Sequence, residues 1–288
     1  MSVLSRNELR ITLCPDHAAL LAIEHRLTGR GMRHELLGQE IIPAVVSAGE
    51  AQSPARRQYD PVLQALDAFL PAYTGRKFAA TVILSNHFLR YVLVPWSDSL
   101  SEEAEQLAYA RHCFTEVYGD TAGHWEIRLS PGEEDDPQLA SAVDQRLLTS
   151  LRLILTRHDI SLVSIQPHLM AAWNSAYPMF RRRSAWLALV EPGKLCLGLI
   201  RRGSWQKLRS LRITAGWPAA LPQMLEREAC LLGLQEAPRE ALLIAPESGA
   251  LQFPPDTGWE FRRLNPAPSS RGLPSDEWGF AGAGEGVS

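Results

Sequence analysis

The chain has 288 residues, of which 45% are hydrophobic and 21% charged, and a net charge of −3. This is ordinary globular composition, long enough for one large domain or two medium ones, and it excludes disorder of the whole chain. The weakly acidic balance offers no basic surface to neutralise phosphates, so nucleic acid is not an expected partner.

The four cysteines, Cys14, Cys113, Cys196 and Cys230, are widely separated and form no CxxC pair. Zinc held by neighbouring thiolates is therefore not expected, and the cysteines fit a reducing compartment. The first ten residues are polar, with no apolar stretch of the kind a secretory leader needs. No run approaches the ~20 apolar residues of a membrane helix, so no direct membrane span is expected.

In chain order, Leu9–Leu13, Ala18–Leu27 and His34–Ile42 read as three strands of an antiparallel meander. A helix follows near Arg57–Ala72, with Val62, Leu63, Leu66, Phe69 and Leu70 at helical spacing. Phe78–Leu84 and Phe88–Val94 read as strands, and the short Ser85-Asn86-His87 connection predicts a hairpin between them. Ser99 followed three residues later by Glu102 predicts a capping box opening a helix that Gly119 stops. Trp125–Leu129 and Leu139–Val143 read as short strands. The acidic loop between them, Gly132–Pro137, offers oxygen ligands but lacks the spacing of a calcium-binding loop.

Asp144–His158 predicts a helix with Leu147, Leu148, Leu151, Ile154 and Leu155 on one face. Ile160–Ile165 is a strand, and Pro167 opens a helix through Tyr177. The basic run Arg181-Arg182-Arg183 reads as a solvated edge. After Ser184 a second cycle begins: strands Ala185–Val190, Leu195–Ile200 and Trp205–Ile213 joined by tight turns, then a helix near Pro218–Leu232. Ala241–Ile244 and Trp259–Leu264 follow as strands. From Pro266 the chain is rich in proline, glycine and serine and predicts a disordered tail. Five tryptophans (Trp96, Trp173, Trp186, Trp205 and Trp217) lie near predicted element ends, where core packing is the first reading and an interface the second.

The order of elements repeats, as in the duplicated ribonuclease-H-like halves of actin, Hsp70 and the sugar kinases. That resemblance implies an α/β fold with two actin-like lobes, residues 1–178 and 179–265, and a tail over 266–288. Val82-Ile83-Leu84-Ser85, Val92-Leu93-Val94-Pro95 and the helix from Ser99 resemble the PilM family of type IV pilus assembly. So do Ile160–Pro167 and the hairpins Trp186–Ile200 and Gly203–Ile213. The cytoplasmic domain of GspL in type II secretion and the MshI-type proteins are similar.

That resemblance implies a phosphate-gripping hairpin in each lobe, most often bearing Asp-x-Gly. The first hairpin here reads Ile11-Thr12-Leu13-Cys14-Pro15-Asp16, with Leu13 and Pro15 in the places of aspartate and glycine. Proline also removes a backbone donor that would meet phosphate. The second reads Glu191-Pro192-Gly193-Lys194. It is either an ordinary charged turn or a residual grip in which Glu191 replaces aspartate and Lys194 meets a phosphate. The adenosine segment, Leu243–Gly249, keeps a single glycine. Three departures together predict no ATP hydrolysis.

Other chemistry is equally unmarked. No nucleophile elbow or P-loop occurs, and the Gly282–Gly286 run sits in the tail rather than between a strand and a helix. His112 and Cys113 are adjacent in a predicted helix and point apart. His87 and His168 lack paired ligands. The expectation is a non-enzymatic scaffold with no catalytic residue, cofactor or metal site. By resemblance it is cytoplasmic and peripheral to the inner membrane. It binds the cytoplasmic tail of a PilN-like bitopic partner and joins a homo-oligomer or ring. The alternative is an ATP-binding switch using Glu191 and Lys194.

Overall fold

The structure, a computed structural model, describes residues 5–28, 31–45, 57–100, 102–132, 134–233, 237–245, 251–255 and 257–264. The tail from Pro266 and the residues Pro246–Gly249 of the expected adenosine segment lie outside the described residues, as does Glu133 of the acidic loop.

The first sheet takes its middle from the meander β1 (Ser5–Leu13), β2 (His17–Thr28) and β3 (Gly31–Pro43), which is antiparallel throughout, as the sequence predicts. β4 (Phe78–Leu84) then adds beside β1 in parallel, and β8 (Ser161–Pro167) adds beside β4, giving the order β3-β2-β1-β4-β8. Helices α1 (Asp60–Phe69) and α3 (Gln145–Arg157) cover one face. Their stripes, Val62, Leu63 and Leu66 with Leu147, Leu148, Leu151 and Leu155, close over Leu9, Ile11 and Leu13 of β1. Asp144 caps α3, its carboxylate accepting from the Arg146 N–H at 2.9 Å and from the Tyr59 hydroxyl at 2.8 Å, so one side chain fixes the starts of both helices.

A three-stranded antiparallel sheet is inserted between β4 and β8. It is built of β5 (Leu89–Val94), β6 (Trp125–Leu129) and β7 (Gln138–Asp144) in the order β5-β7-β6, and α2 (Glu103–Tyr118) packs on it through Ala110 and Phe114. Two expectations are corrected here. β4 and β5 do not form a hairpin, because Asn86–Phe88 make a single 3-10 turn that passes the chain from one sheet to another. The N-cap of α2 is Glu102, not Ser99, and the Glu102 N–H donates to Glu105 at 3.4 Å. The capping pair is the same chemistry displaced by three residues.

The second sheet repeats the first: β9 (Ser184–Glu191), β10 (Lys194–Arg201) and β11 (Ser204–Arg212) form the meander, with β12 (Glu240–Ile244) and β13 (Glu260–Arg263) added in parallel. The order β11-β10-β9-β12-β13 mirrors that of the first sheet, so the fold is a duplicated ribonuclease-H-like α/β architecture. β9 is buried from Ala185 to Glu191, which is why its sequence is a continuous apolar run and does not alternate. Helix α5 (Trp217–Leu231) covers one face through Leu221, Leu225 and Ala229. Helix α4 (His168–Phe180) covers the other through Leu169, Ala172, Trp173, Ala176 and Phe180. The expected lobe division at 178/179 thus falls in the last turn of a helix that leaves the first sheet and packs on the second.

Candidate functional site

The strands β1, β4 and β8 run parallel and end in register, Leu13 beside Leu84 and Leu84 beside Pro167. The residues that leave their carboxyl ends, Cys14, Ser85 and His168, therefore lie in a row. Carboxyl ends of parallel strands are where α/β folds place ligands. Facing this row from the second sheet is the β9–β10 turn, Glu191-Pro192-Gly193-Lys194, in which Gly193 takes the positive φ of 74° that closes so short a turn.

Glu191 is only 1% exposed, yet it is fully engaged. One carboxylate oxygen accepts from the Asn86 side-chain amide at 2.6 Å and lies 2.6 Å from His168 Nδ1. The other accepts from the Ser85 hydroxyl, and the Asn86 backbone N–H donates to both, at 3.0 and 3.1 Å. Four donors match the ~four lone-pair positions a carboxylate presents. Burial alone would push the Glu191 pKa up. The hydrogen bonds from His168, Asn86 and Ser85 outweigh burial and hold the carboxyl below its ordinary value.

Asn86 is just as fully used. Its side-chain oxygen accepts from the Tyr91 hydroxyl at 2.6 Å and from the Leu169 N–H at 3.2 Å, and its backbone carbonyl accepts from Lys194 Nζ at 2.5 Å. His87 Nε2 donates to the Pro192 carbonyl at 2.9 Å. Lys194 is pushed below its ordinary pKa, first by burial and then by Arg90. Burial of its hydroxyl end holds partly buried Tyr91 well above its ordinary pKa. The turn after β4 and the start of α4 thus grip the second hairpin through hydrogen bonds, of which those to the Glu191 carboxylate are buried.

Of the two residues singled out for a residual phosphate grip, Glu191 and Lys194, the structure brings both to the cleft and turns both onto Asn86. The first hairpin stands beside them: Cys14 is buried against Ile83, and its thiol is pushed up by burial and by the nearby Glu191 and Asp16 charges. His168, unmarked in the sequence reading for want of a paired ligand, is a direct partner of Glu191. Ser85 and Asn86 were also missed. Their signal was two polar residues between apolar strands, where a hairpin turn was expected. His112 lies on the exposed side of α2, 3.3 Å from Glu116, and Cys113 faces the small core beside Phe114. Trp173, Trp186 and Trp205 are core residues.

No protein-family model and no curated protein matches the chain. Solved structures do resemble it over nearly its whole length. One is a PilM-PilN type IV pilus biogenesis complex, at 15% identity over 90% of this chain and 88% of that one, TM-score 0.58. Another is the cytoplasmic domain of EpsL, an inner-membrane component of the type II secretion system of Vibrio cholerae, at 12% identity over 90% of both chains, TM-score 0.51. A third, from Bacteroides thetaiotaomicron, is a protein with an actin-like ATPase fold and unknown function, at 11% identity over 91% and 92% of the chains, TM-score 0.56. The fold is actin-like. Among the described residues no helix is long and apolar enough to cross a membrane.

Proposed function

We propose that this chain is a non-catalytic adaptor of a type IV pilus or type II secretion assembly, recruited by the cytoplasmic tail of a PilN-like inner-membrane partner. The observation that carries the reading is the full-length likeness to the PilM component of a PilM-PilN complex and to the EpsL cytoplasmic domain. The non-catalytic half is supported by Glu191. Nucleotide hydrolysis would require a carboxylate with lone pairs left for magnesium or its waters. Glu191 gives its positions to Ser85, Asn86 and His168. The first hairpin supplies Leu13 and Pro15 where the acid and glycine would stand.

A bitopic partner would supply a short cytoplasmic peptide. Capture of it in a groove would bury a few apolar side chains and add main-chain hydrogen bonds. Self-association into a ring under the membrane completes the reading.

Two binding measurements on the full chain test it. Thermal unfolding with excess Mg-ATP is expected to show no shift, with an intact PilM-type protein as positive control. A ligand stabilises by RT ln(1 + [L]/Kd), so even 100 Kd of nucleotide would add ~2.7 kcal/mol and be seen. Titration with the cytoplasmic-tail peptide of the PilN-like protein of the same genome is expected to show saturable binding. A nucleotide shift lost in Glu191→Gln would establish the switch alternative, and no peptide binding would remove the adaptor reading.

A further inference from the structure

The turn between β1 and β2 carries another kind of chemistry. Between β1 and β2 the chain reads Cys14-Pro15-Asp16-His17, and each of Cys14, Asp16 and His17 offers a ligand atom, all within 4.8 Å of one another. Among the described residues this is the one such group of three. The turn is pinned on both sides. The Cys14 N–H donates to the His17 carbonyl at 2.9 Å, and the Ala44 N–H donates to the Asp16 carbonyl at 2.7 Å. Cys14 and His17 are buried, while Asp16 is exposed and leaves the set open to solvent.

We infer that Cys14, Asp16 and His17 form a binding site for a zinc-class divalent cation, with water as the fourth ligand. The donor set, one thiolate, one imidazole and one carboxylate, suits zinc in an open tetrahedral site and does not suit magnesium or calcium. With Zn–S of ~2.3 Å and Zn–N or Zn–O of ~2.0 Å, tetrahedral ligand atoms lie ~3.3–3.6 Å apart. Small side-chain rotations within a pinned turn bring the three atoms to that spacing. His17 Nδ1 and Asp16 Oδ1 already lie 2.8 Å apart, a hydrogen-bonded pair that opens slightly when a cation takes the Nδ1 position and the ring proton moves through solvent to Nε2.

On binding, the aqueous ion gives up three waters, the Cys14 thiol passes its proton to solvent, and a metal–sulfur bond forms with no change of oxidation state. Protons compete with the cation for the thiolate, so affinity rises with pH. The inference stands apart from the adaptor reading, since a site at this turn requires neither a pilus partner nor nucleotide.

Cobalt(II) is the probe, titrated into chelator-treated full-length protein. The expected result is a thiolate-to-cobalt charge-transfer band with the strong visible bands of tetrahedral cobalt, saturating at one equivalent and bleached by zinc. Cys14→Ser abolishes the charge-transfer band, Asp16→Asn weakens cobalt binding roughly tenfold or more, and Cys113→Ser/Cys230→Ser leaves it unchanged. Thermal unfolding of each metal-free variant checks that it is folded. If Cys14→Ser fails to fold, the exposed Asp16→Asn decides alone. No band in folded wild type, a band that survives Cys14→Ser, one lost in Cys113→Ser/Cys230→Ser, or wild-type affinity in Asp16→Asn would overturn the inference.

Discussion

At the scale of single residues, Glu191 illustrates what a hairpin acid becomes when its donors come from the protein itself. A buried carboxylate is tolerated only when its hydrogen bonds are made, and here they are made by the opposite lobe. Truncation leaves Ser85, Asn86 and His168 buried without their acceptor. Glu191→Ala is expected to cost roughly 3–5 kcal/mol in urea denaturation, and Glu191→Gln less, because the amide keeps one oxygen and the shape. The pH dependence has a definite sign. The folded-state pKa of Glu191 lies below the unfolded one, so its contribution is present above the ordinary glutamate pKa of ~4.3 and is lost as pH falls through the folded value. Wild-type stability should drop on acidification below about pH 5, and that limb should flatten in Glu191→Gln.

At the scale of elements, β10 shows how a glycine inside a strand serves packing. A Cβ placed on Gly198 would lie 2.4 Å from the Trp205 ring, which packs at a tilt of 52° against Trp173 with ring centres 4.7 Å apart. The next step of the β10–β11 ladder, Leu199 to Ile200, carries a register shift. The shift re-aims the end of β11 and seats Trp205 on α4. Gly198→Ala must push the indole out of this cluster and is expected to destabilise by about 1–3 kcal/mol. The denaturation midpoint and the tryptophan emission should both move. Unchanged emission with an unchanged midpoint would mean that the added methyl is accommodated without moving the ring.

At the scale of the whole molecule, two similar sheets are joined by helix α4, by Leu139 of the inserted sheet packed into the second core, and by the hydrogen bonds gathered on Glu191 and Asn86. Helix α4 starts at the end of β8 and buries its face on β9 and β10, so its first residue, His168, reaches Glu191 from the side that Asn86 leaves open. Lobe coupling therefore rests on a small set of buried hydrogen bonds in addition to apolar packing. The full chain is expected to unfold in a single transition, and Glu191→Ala to separate it into two. The emission of Trp186 and Trp205, which sit in the second core, would follow the second-lobe step while circular dichroism reports both. A single coincident transition in the variant would show that the apolar packing of α4 and Leu139 on the second core couples the lobes without Glu191.

The sequence by itself determined the elements and their repeat. Apolar runs set β4, β9 and β12, helical spacing set α1 and α3, and the repeated order of strands and helices implied two actin-like lobes, because these signals are local and periodic. The absence of Asp-x-Gly at the first hairpin was equally legible, since it concerns residue types at fixed places in one turn. Tertiary structure alone decided what the polar residues do. Ser85, Asn86 and His168 come from two separate connections in the chain and meet Glu191 only because β4 and β8 end in register and α4 crosses to the second sheet. A short polar run between two apolar strands has the same local signal whether it turns into solvent or into a cleft. The choice is made by a hydrogen-bond partner more than 100 residues away, and no local propensity carries that.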